Sequence, residues 1–250
     1  DGGANLDPAA ARDTALRLIE EGADILDIGG ESTRPGAVAV GAAEELRRVL
    51  PLVVALREAD VPISVDTSKP EVMRAVLAEG AAIINDVRGL QAPGATEAVG
   101  RSDCGVVLMH MQGMPRTMQA APQYDDVVRD VAAFLQARRD DLVSSGIAAD
   151  RIALDPGFGF GKTLAHNLAL LADLASFAAL GQPVLVGLSR KSMLGELTGR
   201  PVDRRVHASV AAALLAIERG ASIVRVHDVA ATRDAIRVWM AIRADREREG

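Results

Sequence analysis

The sequence has very few of the residues that mark several common protein classes. Its single cysteine, Cys104, cannot form a disulfide within the chain. Aromatic residues make up only 2%, too few for the stacking surfaces that bind single-stranded nucleic acid. No apolar run approaches the ~18 residues of a membrane-spanning helix. The 34 acidic residues outnumber the 28 basic ones, giving a net charge of -6, opposite in sign to a duplex-binding surface. We therefore expect neither a nucleic-acid nor a membrane partner.

The residues that are present have the proportions of an ordinary globular protein, with 49% hydrophobic and 25% charged residues. Apolar runs of strand length alternate with amphipathic helical segments and no linker interrupts them, so residues 1–250 are predicted to form a single domain. The strand-like runs are 25–28, 63–66, 82–85, 105–110, 151–155, 183–187 and 223–226.

The runs are apolar on both faces, which is typical of a buried parallel sheet. Seven strands and about eight helices in this length predict an α/β fold, a (β/α)₈ TIM barrel. A doubly wound open sheet is the alternative. Because the chain opens just before a helix, the first strand of the barrel and its loop are expected upstream of residue 1, or missing.

Polar residues follow nearly every strand-like run at its carboxyl end, where a barrel carries its active site. All three lysines of this arginine-rich chain lie in or beside these ends. The segments concerned are 29–36, 66–70, 85–86, 110, 155–157, 189–192 and 225–228. A single aspartate there would be read as a helix cap, but seven polar strand ends together favour a functional site.

Several single signals are weak. Residues 157–163, GFGFGKT, resemble a phosphate-binding P-loop but have three residues, not four, before the Gly-Lys pair. His110 is better interpreted as a buried, hydrogen-bonded histidine than as a zinc ligand, because it has no partner at ligand spacing. Phe158 and Phe160 either pack against the barrel rim or form a wall for a flat ligand.

Cationic side chains gather near the end of the chain. Arg225 and His227 alternate along one strand and so face the same way. With Lys191 they form a cluster suited to a diphosphate. Hydrogen-bonding partners for a flat heterocycle with amino and lactam groups come from other strand ends: Asp66, Asn85 and Asp155.

Eight strings together resemble the dihydropteroate synthases of the pterin-binding barrel family, in family order along the whole chain. They are DGG at 1–3, GESTRPG at 30–36, SVDT at 64–67, IND at 84–86, MHMQG at 109–113, DPGFGFGK at 155–162, SRKS at 189–192 and RVHD at 225–228. The resemblance implies condensation of 6-hydroxymethyl-7,8-dihydropterin diphosphate with 4-aminobenzoate. It also implies Mg²⁺, sensitivity to sulfonamides, a cytoplasmic homodimer and a metal ligand in a loop upstream of Asp1.

The resemblance also assigns residue roles. The catalytic residues are Lys191, Arg225 and His227. The pterin and its diphosphate are contacted by Thr33, Asp66, Asn85, Met109, Asp155, Phe160, Lys191, Arg225 and His227. The 4-aminobenzoate pocket is lined by Arg34, Pro35, Phe160, Lys191 and Ser192.

Three other functions stay open on the residues alone. A pterin methyltransferase shares the Asp and Asn pattern, although SRKS and RVHD together are not expected in one. A Schiff-base aldolase would use Lys191 as its nucleophile. A non-catalytic ligand-binding barrel would result from loss of the first strand and loop.

Overall fold

Seven short parallel strands organise the molecule. The computed structural model describes residues 7–34, 36–114 and 117–249. Each of the seven predicted runs overlaps a strand. The strands are β1 Leu26–Gly29, β2 Ile63–Asp66, β3 Ile83–Asp86, β4 Gly105–Met109, β5 Ile152–Asp155, β6 Leu185–Val186 and β7 Ile223–Val224.

The strands pair in the order of the chain. β1 to β5 form one parallel sheet, and β6 pairs with β7 in parallel. A single bridge between Leu154 and Val184 joins the two groups. A doubly wound sheet would reverse its strand order in the middle, so the predicted barrel is confirmed and the open-sheet alternative is wrong. Within the described residues, the outer edges of β1 and β7 pair with no strand.

Helices cover the outside of the strands. The described residues form ten of them, against about eight predicted. They are α1 Pro8–Glu20, α2 Ala42–Leu56, α3 Pro70–Ala78, α4 Ala95–Gly100, α5 Val127–Ser144, α6 Leu164–Ala172, α7 Ala175–Ala178, α8 Ser192–Thr198, α9 Val206–Glu218 and α10 Val229–Glu249. The count is higher because two connections each hold a pair of helices. Gly199, left-handed with φ 67°, ends α8 before Pro201 and α9.

Local signals explain where helices begin. Asp7 accepts a hydrogen bond from the Ala10 amide before α1, and Asp126 does the same for two amides of α5. Thr163 caps α6 through the His166 amide. Such caps satisfy amides that have no partner in the first helical turn.

Apolar side chains fill both sides of the strands. Val65, Ile84 and Leu154 belong to the main core between strands and helices. Val107 and Leu185 belong to a separate cluster inside the barrel. Two-sided burial explains why the strands read as continuous apolar runs. No helix in the described parts of the chain is long and apolar enough to span a bilayer.

Candidate active site

A cavity of about 2210 Å³ extends from the carboxyl ends of the strands along the gap between β1 and β7, where α1 and α10 also line it. Its floor is apolar and comes from side chains inside the barrel: Ile83, Val107, Leu185 and Ile223. Nine predicted site residues line it: Thr33, Arg34, Asp66, Asn85, Phe160, Lys191, Ser192, Arg225 and His227. An apolar floor with a few converging polar groups is the usual form of a small-molecule site.

Asn85 presents a hydrogen-bond acceptor at the end of β3. Its side chain is 1% exposed, and its Oδ1 atom has no hydrogen-bond partner among the described residues. Its Nδ2 atom donates to Asp27 at 3.3 Å, which fixes the orientation of the amide. A buried unpaired carbonyl oxygen is costly, so Asn85 is poised for a ligand N–H group.

Asp27 on β1 is a site residue that the sequence interpretation missed. Its carboxylate accepts from Ser64 Oγ at 2.7 Å and from Arg225 Nη1 at 3.0 Å. It lies inside an apolar run that predicts only a strand. The alternation of side chains along a strand was the available signal, because it places Asp27 and Ile28 on opposite faces.

Arg225 on the segment after Val224 bridges two carboxylates. Its Nη1 atom lies 3.0 Å from Asp27 and 3.3 Å from Asp66. Burial opposes the charge of Arg225, but the two carboxylates more than compensate and raise its pKa. Burial and the neighbouring Asp27 raise the pKa of Asp66 to about 7, against the opposing effect of Arg225. The cluster is therefore a paired acid–guanidinium network, not a purely cationic surface.

Two predicted site residues are buried beneath the cavity wall. Asp155 at the end of β5 is 2% exposed, and its Oδ1 atom accepts from the Gly157 amide at 2.7 Å. Met109 at the end of β4 packs with Phe160 and Met118. Neither is among the residues that line the cavity.

The segment 156–163, here called the β5 loop, places its two phenylalanines in different surroundings. Both contribute to the cavity lining, but Phe158 is fully buried in the main core, whereas Phe160 belongs to a smaller cluster. The Lys191 ammonium donates to the Phe158 carbonyl and lies 4.7 Å above the Phe160 ring centre. Burial lowers the pKa of Lys191 to about 7, although Asp155 favours its charge.

The segment 189–192 is tied to the end of the last strand. Ser189 Oγ lies 3.0 Å from His227 Nδ1, and Asp228 accepts two hydrogen bonds from Arg190. Burial lowers the pKa of His227 to about 4. The lowered pKa favours a neutral ring that can offer a hydrogen bond, and a role for His227 as a cation of the cluster stays a prediction.

The segment 30–41, here called the β1 loop, borders the cavity from a more exposed position. Thr33 is half-buried, and Arg34 is exposed. At the base of the loop, Glu31 pairs with Lys69, which also pairs with the fully buried Glu45 of α2. The predicted aminobenzoate residue Pro35 lies outside the described residues, and Ser192 is an exposed residue at the start of α8.

The described residues contain no group of three metal-ligating side chains. The carboxylates of Asp27 and Asp66 in the cavity are engaged by Arg225. These residues therefore do not build a metal site by themselves, and the predicted upstream metal ligand lies outside the chain described.

Comparison with known proteins gives consistent matches. The family model for pterin binding enzymes matches residues 1–227. A dihydropteroate synthase from Haemophilus influenzae is 53% identical over 226 residues, covering 90% of this chain and 82% of the relative. A Yersinia pestis dihydropteroate synthase solved with a sulfonamide drug superimposes with a TM-score of 0.95 at 49% identity, covering 98% of this chain and 89% of that one.

A third match carries a reaction product. The dihydropteroate synthase of Burkholderia cenocepacia, solved with 7,8-dihydropteroate, has a TM-score of 0.91 and 56% identity. It covers 96% of this chain and 89% of that structure.

Proposed function

The chain belongs to the dihydropteroate synthase family of pterin-binding enzymes, and we propose that it joins 6-hydroxymethyl-7,8-dihydropterin diphosphate to 4-aminobenzoate. The products are 7,8-dihydropteroate and diphosphate. The observation that carries this proposal is the buried, unpaired Asn85 Oδ1 atom above the apolar floor of the barrel. A flat pterin lying on that floor would supply the missing N–H donor.

The other half of pterin recognition comes from charged neighbours. Asp155 and the Asp27–Asp66 pair offer acceptors to amino and ring N–H groups, and the Lys191 ammonium offers donors to a ring carbonyl or ring nitrogen. The carboxylates are held on short strands and Lys191 is held by contacts with the β5 loop, so their positions are fixed before the ligand arrives.

The reaction needs the C–O bond between the pterin methylene and the diphosphate to break. Arg225 and Lys191 supply charge to the departing oxygens, and His227 supplies an N–H group. The aniline nitrogen of 4-aminobenzoate then forms the new C–N bond and loses one proton. A weakly basic aniline needs no strong general base, which accounts for a site built for electrostatic stabilisation.

The 4-aminobenzoate pocket is proposed between the β1 loop and the segment that begins α8. Phe160 and Lys191 would form its inner wall, and Arg34 and Ser192 its outer wall. A sulfonamide shares the aniline group and a polar para substituent, so it should compete for this pocket. Inhibition that is competitive against 4-aminobenzoate is expected, and noncompetitive inhibition would contradict a shared pocket.

Diphosphate release tests the proposed reaction. With the pterin diphosphate as substrate, release should be accelerated by 4-aminobenzoate and accompanied by dihydropteroate in equal amount. Release without any dependence on 4-aminobenzoate would contradict the condensation. Borohydride added with a carbonyl substrate should leave Lys191 unmodified. A trapped adduct on Lys191 would instead support a Schiff-base aldolase.

Mg²⁺ remains a proposal, as a partner of the diphosphate. Magnesium commonly takes most of its ligands from phosphate oxygens and water, with one or two from the protein. Turnover that is unaffected by removal of divalent cations with a chelator would exclude a role for Mg²⁺.

A homodimer and a cytoplasmic location are also proposed. Large apolar side chains on α9 and α10 are exposed, among them Leu215, Val238 and Ile242, which supports a partner surface there. The buried free thiol of Cys104 fits a reducing compartment. Sedimentation analysis tests the dimer, and cell fractionation tests the location.

A further inference from the structure

Lys162 is a buried lysine to which the proposed reaction gives no task. It is 3% exposed and stands at the end of the β5 loop. It is also one of only three lysines in the chain, all of them near strand ends. A lysine is rarely buried so completely unless its ammonium group has partners.

The Lys162 ammonium joins acceptors from two loops. Its Nζ atom lies 2.9 Å from the Gly157 carbonyl, 3.1 Å from the Phe160 carbonyl and 3.0 Å from His110 Nδ1, with the His110 carbonyl farther away at 3.5 Å. An ammonium group has three donors, which the three shorter contacts can use. Burial lowers the pKa of His110 to about 3, which leaves the ring neutral and able to accept at Nδ1.

The two loops joined by Lys162 are in direct contact. A Cβ atom on Gly157 would lie 1.8 Å from the His110 carbonyl oxygen, and one on Gly161 would lie 2.4 Å from that of Gln112. The Tyr124 hydroxyl also donates to the Gly161 carbonyl at 2.8 Å. The β5 loop is therefore held against the segment after β4 over most of its length.

The same loop touches the reaction site at its other face. Its Phe158 carbonyl accepts from the Lys191 ammonium, and its Phe160 ring lies beneath that ammonium. Any displacement of the loop moves both partners of Lys191. The carbonyls of Gly157 and Phe160, which flank Phe158, are the two that Lys162 binds.

We propose that Lys162 is a positioning residue, which holds the β5 loop so that Lys191 and Phe160 meet the pterin correctly. The inference rests on the proposed function, because it assigns a purpose to pterin contacts. Lys162 itself does not line the cavity; it acts through the Phe158 carbonyl and the Phe160 ring.

Lys162→Met removes the donors and keeps an unbranched apolar side chain. We expect affinity for 6-hydroxymethyl-7,8-dihydropterin, measured by calorimetry, to fall about tenfold or more. The matched control is Arg151→Met. Arg151 also donates to buried carbonyls, those of Cys104 and Val99, but before the start of β5, at the other end of the barrel. Arg151→Met should lower the melting temperature and leave pterin affinity unchanged.

A double-mutant cycle separates positioning from general stabilisation. If Lys162 acts through Lys191, then Lys162→Met should weaken pterin binding much less in a Lys191→Ala background than in the wild type. Full additivity would overturn the inference. If Lys162→Met does not fold, Lys162→Gln keeps an N–H donor and is measured in the same cycle, with the same expectation and a smaller loss.

The outcomes for the two proposals are distinct. A wild-type protein that binds no pterin would contradict the proposed function. A wild type and a folded Lys162→Met variant with equal pterin affinity would contradict only the positioning role, as would equal losses in Lys162→Met and Arg151→Met.

Discussion

The β5 loop and the β1 loop line the same cavity, but they are built in opposite ways. In the β5 loop, residues 156–158 and 160–162 are buried, and its carbonyls accept from Lys162, Lys191 and Tyr124. In the β1 loop, most described residues between 32 and 39 are exposed. Its attachments lie at its two ends: Arg48 donates to the Gly30 carbonyl at 3.0 Å, and Glu31 accepts from the Val40 amide at 3.2 Å.

The difference assigns the two loops different tasks. Most of the proposed pterin contacts are on strand ends and the β5 loop, where burial and hydrogen bonds fix them in advance. The proposed aminobenzoate contacts include the β1 loop, which is attached mainly at its ends. One half of the site is therefore preformed, whereas the other can adjust to the second substrate.

The largest expected effect is a difference in folding stability between two glycine-to-alanine substitutions, one in each loop. Gly157 has φ 72°, and a Cβ atom there meets the His110 carbonyl oxygen at 1.8 Å. Gly157→Ala should destabilise the fold by about 2–5 kcal/mol, from backbone strain and overpacking together. Gly36 has φ 80° and no atom within 4 Å of the added carbon, so Gly36→Ala should cost only about 1–2 kcal/mol. Urea unfolding measures both, and similar losses would contradict the contrast.

Asp155→Asn should weaken pterin binding in the preformed half of the site without changing the interaction with 4-aminobenzoate. The Asp155 carboxylate is proposed to accept two hydrogen bonds from the ligand. In the variant, the side-chain NH2 group would face one of the ligand's N–H donors, so that hydrogen bond would be lost. Pterin affinity should fall ~10- to 100-fold, as expected for a buried charge-assisted bond. Calorimetry gives the affinity, and the KM for 4-aminobenzoate serves as the internal control. Unchanged pterin affinity would remove Asp155 from the site.

Lys69→Met should show the reverse selectivity. Lys69 ties Glu31, at the base of the β1 loop, to the buried Glu45. Its loss should raise the KM for 4-aminobenzoate roughly three- to tenfold through misplacement of the loop, with pterin affinity unchanged.

The control for Lys69→Met removes the buried charge that the substitution leaves behind. In Lys69→Met/Glu45→Gln, Glu45 no longer carries an unpaired charge, so stability should recover, whereas the KM for 4-aminobenzoate should stay high. Recovery of the KM together with stability would show that the tie acts only on the fold.

The smallest expected effect is a pH dependence of folding stability that arises from His110, in the segment packed against the β5 loop. The folded protein keeps His110 neutral down to a pKa of about 3, while an unfolded histidine has a pKa of about 6.5. As pH falls through 6.5, the unfolded chain binds a proton on His110 that the folded chain does not bind, so folding stability decreases. Between pH 7 and 6 the expected loss is about 0.7 kcal/mol. This contribution should be absent in His110→Gln, and parallel pH profiles for the two proteins would contradict it.

Much of this arrangement could be predicted from the sequence because it depends on local patterns. Apolar runs located every strand, and strand direction placed polar ends such as Asn85 and Arg225 in one cavity. What was missed depends on contacts between distant residues. Asp27 contacts Arg225, 198 residues away, and Lys162 contacts His110, 52 residues away.

The two phenylalanines illustrate the same limit. Phe158 and Phe160 are two residues apart in a glycine-rich segment, and neither periodicity nor hydrophobicity distinguishes them. The left-handed glycines 157, 159 and 161 direct one ring into the core and the other towards Lys191. The lowered pKa of His227 could not be predicted either, because burial and not residue type is its largest cause.

Amide hydrogen exchange of the wild-type protein tests the central claim, that one half of the site is preformed. In the free protein, amides of residues 157–162 should exchange slowly and those of residues 36–39 rapidly, since protection follows burial and hydrogen bonding. Addition of the pterin alone should leave this order unchanged. Rapid exchange of residues 157–162 in the free protein, with protection appearing only when the pterin is added, would contradict the account.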